Sequence, residues 1–155
     1  MILSDMIVVN YSSDTYVFLI HVFYAFLLSF FVGLERQYRR KTIGLRMAVL
    51  VCIGSTMFTH ASLSIPAGDL GRIAAGIVSG IGFLGAGLVM KDDSHHKVHG
   101  LNTASTIWCS ASIGILCGMG YIIEAVIGTL FVLISNSLLR KIDYKMSQSE
   151  SDSDE

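Results

Sequence analysis

Residues 16–34 read YVFLIHVFYAFLLSFFVGL, and the basic stretch ERQYRRKTIGLR follows at once at residues 35–46. About 20 mostly apolar residues are enough to cross a bilayer as a helix. Four further apolar runs lie at residues 47–65, 73–90, 103–119 and 121–139. The sequence therefore predicts an all-α fold, a polytopic membrane protein with five transmembrane helices.

Composition supports the same class. Hydrophobic residues make up 52% of the chain and charged residues only 15%, with a mean hydropathy of +0.61. Soluble domains carry about 25% charged residues. Residues 1–145 are interpreted as one transmembrane domain, and residues 146–155, MSQSESDSDE, as an acidic tail that is predicted to be disordered.

The basic residues fix an orientation. Ten of the eleven Lys and Arg residues fall on one side of the predicted membrane, and only Arg72 falls on the other. Cytoplasmic loops hold the excess of Lys and Arg in membrane proteins. The predicted topology therefore has the N-terminus outside and the C-terminus in the cytoplasm.

The third run, RIAAGIVSGIGFLGAGLVM at residues 72–90, is rich in small residues. On a helix its bulky residues form one stripe, which is expected to face lipid: Ile73, Ile77, Ile81, Leu84 and Leu88. Gly76, Gly80 and Gly87 form a second stripe and are predicted to lie at a helix–helix contact, because small residues let membrane helices approach closely. Two alternatives stay open, tight packing within the protein and contact with a partner helix.

The fourth run carries a polar stripe. Five polar residues lie within about 120° of each other on a helical wheel, whereas Trp108 projects from another side: Asn102, Ser105, Thr106, Cys109 and Ser112. Hydrogen bonds to neighbouring helices are the simplest role for the hydroxyls. Asn102, at the predicted cytoplasmic end, is the stronger functional candidate. Cys109 is expected to be a packing group on that face, neither a redox centre nor a metal ligand.

The first connection combines an acidic residue with several basic ones. Glu35 and Arg36 end the first run, and Arg46 opens the second. Basic residues at this level are attracted to anionic lipid. A carboxylate among five cations is expected to be paired, and a bridge from Glu35 to Arg46 is predicted.

Catalysis and metal binding have little support. The loop KDDSHHKVHG at residues 91–100 concentrates His and Asp, but the spacing does not preorganise a metal site, so no metal and no cofactor are predicted. His21, His60 and Glu124 are the ionisable residues at membrane depth. No nucleophile–base pair or phosphate-binding loop is present, and the chain is not expected to be an enzyme.

Two segments carry a resemblance to a known family. GLERQYRRKTIGLRMAVLVCIGS at residues 33–55 and residues 72–120, which include GLNTASTIWC, resemble the MgtC/SapB family of bacterial inner-membrane proteins. The chain most resembles the MgtC branch of this family. The cytoplasmic C-terminal domain of that branch is not expected in this sequence. The family motif maps onto these residues: Glu35, Arg36, Gly44, Arg46, Asn102, Trp108 and Cys109.

The resemblance implies a function. It implies a multi-pass protein of the bacterial inner membrane with a role in adaptation to low magnesium and, in intracellular pathogens, in survival inside macrophages (virulence). It also implies restraint of the rotary ATP synthase through contacts with its membrane sector. Besides the lipid bilayer and this partner, a homo-oligomer is considered, and no nucleic acid is expected. The alternative function is transport of magnesium or another small ion.

The topology is testable by cysteine labelling in a background without the three native cysteines. His95→Cys should react with a membrane-impermeant maleimide in inverted vesicles but not in intact cells. Ala67→Cys, in a predicted outside loop, is the control and should show the opposite pattern. Labelling of residue 95 in intact cells would contradict the orientation.

Overall fold

The computed structural model describes residues 11–39, 41, 44–64, 69–92 and 97–139. Five α-helices lie in this part of the chain: α1 Tyr11–Tyr38, α2 Leu45–Ser64, α3 Leu70–Leu88, α4 Leu101–Gly118 and α5 Ile122–Ile134. A π-helical turn, Ser135–Leu139, continues α5. The acidic tail, the last three basic residues, Arg40 and residues 93–96 of the polar loop are outside the described residues.

The predicted fold class, an all-α polytopic membrane protein, is confirmed. By length and composition, four segments can cross a membrane: Thr15–Tyr38, Leu45–Leu63, Leu70–Leu88 and Ile122–Leu139. The remaining helix, α4, contacts all four of the others. The helix that is not among these four candidate spans is therefore the central one.

A short β-hairpin joins α3 to α4, where the sequence predicted only a polar loop. Strand β1, Met90–Asp92, pairs antiparallel with β2, Lys97–His99, and Met90 lies opposite His99. Gly100 then turns the chain into α4 with a φ of 97°, which only glycine adopts without strain. Strands of three residues are too short to show a two-residue periodicity, so the sequence gives no signal for them.

The hydroxyl groups of α4 are satisfied within the helix, which lets it lie among apolar neighbours. Thr106 Oγ1 donates to the carbonyl oxygen of Asn102 at 2.8 Å, and Ser110 Oγ donates to that of Thr106 at 3.0 Å. Both side chains are buried. A hydroxyl bonded to the carbonyl four residues earlier does not need a partner on another helix.

The closest helix contact joins α2 to α4. A Cβ added at Gly114 would overlap the carbonyl oxygen of Cys52, and one at Gly118 would lie 2.7 Å from that of Thr56. Thr56 Oγ1 also donates to the carbonyl oxygen of Gly114 at 2.9 Å. Glycine is required at both positions because the two backbones touch.

The bulky stripe of α3 was predicted to face lipid, but the structure directs part of it into the bundle. Ile81 is buried and Ile77 is half-buried, and they pack with Ile107 and Ala111 of α4 instead of facing lipid. Because α2 and α4 already share the closest contact, α3 fills the remaining space with branched side chains, which make more van der Waals contacts than glycine does. Leu84, which is 45% exposed, is the member of the stripe that keeps an outward position.

The glycine stripe of α3 has no contact partner within the described chain. A Cβ added at Gly76, Gly80 or Gly87 would meet no atom within 4 Å. Packing of these glycines within the chain is therefore not found among the described residues, and contact with a partner stays a prediction. The α3 glycine that packs is Gly85, whose added Cβ would lie 3.5 Å from that of Ala104. We call Gly76, Gly80 and Gly87 the glycine face.

Candidate functional site

A groove between α4 and α5 brings together most of the predicted polar stripe. Asn102, Ser105, Thr106 and Cys109 line it from α4, whereas Ser112 does not. The opposite wall is formed by α5 and the π-helical turn: Phe131, Val132, Ser135, Asn136 and Leu139. We call this space, of about 380 Å³, the polar groove.

Arg36 holds one end of the polar groove in place. It is only 4% exposed although it carries a charge. Its Nη1 donates to Asn102 Oδ1 at 2.9 Å and its Nη2 donates to Thr103 Oγ1 at 2.5 Å. The planar guanidinium can donate two bonds at once in a fixed geometry. Arg36 therefore ties the end of α1 to the start of α4 and fixes the Asn102 amide.

The predicted bridge between Glu35 and Arg46 is not formed. Glu35 pairs with Arg39, one turn further along α1, and Arg46 is exposed. Two residues four apart on one helix are already neighbours, so their pairing needs no alignment of two helices. Arg39 Nη2 also donates to Ser137 Oγ at 3.0 Å and so connects α1 to the π-helical turn.

Sequence reasoning missed Asn136. Its Oδ1 lies 3.5 Å from Thr106 Oγ1, and its Nδ2 is buried without a hydrogen-bond partner among the described residues. π-Helical turns are rare and often occur at functional sites. The triplet Ser-Asn-Ser at residues 135–137, polar within an otherwise apolar run, is the signal that could have found this wall of the groove.

The other predicted residues lie apart from the polar groove. Trp108 is 49% exposed and is not among the lining residues. Gly76 and Gly80 line a second, apolar groove of about 590 Å³ between α2 and α3, with Leu50, Phe58 and Leu84 among its walls. The candidate residues thus form two surfaces instead of one functional face.

The described cysteines and histidines form no metal cluster. All three cysteines are free, with Cys52 and Cys117 buried and Cys109 half-buried. The rings of His21 and His60 approach edge to face, with 6.0 Å between their centroids. Within the described residues, no group of three potential metal ligands occurs.

Comparison with known proteins decides the family. Residues 22–145 match the MgtC family. The chain belongs to the MgtC family. It is 44% identical over 131 residues to Protein MgtC of Salmonella typhimurium (strain 14028s / SGSC 2262), which covers 84% of this chain and 56% of that protein. It is 49% identical over 120 residues to Protein MgtC of Brucella abortus (strain 2308), which covers 76% of this chain and 49% of that protein.

The chain thus spans about half the length of the MgtC relatives that it matches. No solved structure is significantly similar to it. The match includes both surfaces, since the glycine face and the residues that line the polar groove fall between residues 22 and 145.

The contact between Arg36 and Asn102 is testable by a double-mutant cycle. Because hydrogen bonds to a buried charge are stronger than neutral ones, Arg36→Ala and Asn102→Ala should show a coupling of about 1.5 kcal/mol in the free energy of unfolding in detergent. Arg46→Ala, which removes an exposed cation, is the control and should not couple to Asn102→Ala. Additive effects of the Arg36 and Asn102 substitutions would contradict the contact.

Proposed function

We propose that this chain is an inner-membrane regulator of the MgtC type that acts by docking against a membrane partner. The observation that carries the proposal is the glycine face of α3. Gly76 and Gly80 have the four-residue spacing that lets two membrane helices approach closely, and no described atom of the chain occupies the space in front of them.

The neighbouring surface also favours a partner helix. Phe58 is 63% exposed and Leu84 is 45% exposed, and both line the apolar groove beside Gly76 and Gly80. A helix seated here would bring its backbone close to the glycines while its side chains enter the groove. Van der Waals contact of this kind stabilises helix pairs in lipid, where apolar burial alone gives no driving force.

The resemblance to the MgtC branch supports a specific partner and role. We infer that the partner is the membrane sector of the rotary ATP synthase and that docking restrains it. The role would be adaptation to low magnesium and survival inside host cells, in a bacterial inner membrane with the C-terminus in the cytoplasm. The exposed glycine face supplies the contact that such restraint requires.

ATP-driven proton pumping in inverted membrane vesicles tests this function. Vesicles that contain the wild-type protein should pump less than vesicles without it. Gly80→Leu should require roughly tenfold more protein for the same inhibition, since the added side chain blocks close helix approach. It should leave the fold intact because the added Cβ meets no described atom within 4 Å.

Gly128→Leu is the matched control. An added Cβ at Gly128 of α5 also meets no atom within 4 Å, but this glycine lies outside the glycine face. This variant should inhibit like the wild type. Unchanged pumping with the wild-type protein, together with protein-dependent magnesium flux in proteoliposomes, would contradict regulation and favour transport.

A further inference from the structure

The hydroxyl protons on the α4 wall of the polar groove are already used. Ser105 Oγ donates to the carbonyl oxygen of Leu101 at 2.9 Å, and Thr106 Oγ1 donates to that of Asn102. These hydroxyls therefore contribute few free donors to a ligand.

Two side-chain amides are the unused donors. Arg36 can only donate, so the oxygen of the Asn102 amide faces it and the NH₂ group points away from it. The Nδ2 atom of Asn136, on the opposite wall, is buried and has no hydrogen-bond partner among the described residues. Asn102 is exposed, and its NH₂ group is open to a ligand, whereas the Nδ2 atom of Asn136 is a buried donor, a kind of group that is normally paired. Together these amides favour a ligand that offers acceptor oxygens.

The charge near the groove is positive. The hydrogen-bond partners of the buried Arg36 are the neutral side chains of Asn102 and Thr103. Glu35, the nearest carboxylate in sequence, pairs with Arg39 instead. None of the described residues that line the groove is acidic. Glu35 also attracts Arg36, but the two arginines outnumber this one carboxylate, and the net positive charge favours an anionic acceptor.

The groove has the polarity gradient of a phospholipid. Asn102 lies at the start of α4 and Cys109 seven residues deeper, so the groove extends about 10 Å along the helix at 1.5 Å per residue. Phe131 and Leu139, which are 66% and 53% exposed, provide an apolar wall that is open to lipid. The amides at the end of the bundle suit a phosphate group, and the apolar wall of the groove suits the acyl chain that follows it.

We propose that the polar groove binds an anionic phospholipid. Its phosphate oxygens accept hydrogen bonds from the amide of Asn102 and, once the side chain of Asn136 turns toward the groove, from the amide of Asn136. Its acyl chain lies along Phe131. The volume of about 380 Å³ is within the range of small-ligand sites. The basic end of α1 attracts the headgroup, as juxtamembrane cations generally attract anionic lipid. This site is separate from the glycine face and needs no protein partner.

Native mass spectrometry of the purified protein in detergent tests the site with phosphatidylglycerol as the probe. The wild type should bind this lipid at least about tenfold more tightly than diacylglycerol with the same chains, because the latter lacks the phosphate. Asn136→Leu should abolish this preference. Inorganic phosphate, which lacks the acyl chains, should compete only weakly.

Gln37→Leu is the matched control. It also replaces a side-chain amide by leucine, but at an exposed position near the end of α1 that is not among the groove-lining residues. The lipid preference of this variant should equal that of the wild type. If Asn136→Leu fails to fold, Asn136→Asp keeps the shape and should also lose the preference, because a carboxylate repels phosphate. Lipid preference retained in the folded Asn136 variants would overturn the proposal. Displacement by inorganic phosphate at equal concentration would also overturn it, by indicating a site for a small free anion.

Discussion

The backbones of α2 and α4 touch at Gly114 and Gly118, and the arrangement of the other helices depends on this contact. It places α4 in the middle of the bundle, against all four other helices. Thr56 adds a hydrogen bond from its hydroxyl to the carbonyl oxygen of Gly114 across the same contact. A central helix of this kind can be polar, because its neighbours shield it from lipid hydrocarbon and its hydroxyls bond to its own carbonyls.

The central position of α4 also separates the two surfaces. On one side of α4, α3 packs through Ile77 and Ile81, and Gly76 and Gly80 of its glycine face line the open apolar groove between α2 and α3. On the other side, α4 and α5 leave the polar groove, whose end is held by Arg36. A regulator that docks in the membrane and also binds a lipid would use these surfaces independently, since they share no lining residue.

The sequence was sufficient for the membrane class, the number of helices and the shared face of Asn102, Ser105, Thr106 and Cys109, because hydropathy and helical periodicity are local properties. It was not sufficient for the direction in which α3 packs. The stripes of α3 are compatible with either orientation, and the choice depends on the contact that α4 makes with α2. The predicted partner of Glu35 was wrong for a similar reason. Arg39 and Arg46 are both near Glu35 in sequence, and only the tertiary structure shows that Arg39 is the partner.

Glycine at position 114 is required by the contact with α2, whereas no described part of the chain requires glycine at position 76. The direct measurement is the free energy of unfolding of Gly114→Ala and Gly76→Ala in detergent. Gly114→Ala should lower it by about 1–3 kcal/mol, because the added Cβ forces the two backbones apart. Gly76→Ala should leave it unchanged or raise it by up to about 1 kcal/mol, since alanine favours the helix and meets no neighbour. Equal effects of the two substitutions, or a larger loss at Gly76, would contradict the arrangement of α2, α3 and α4.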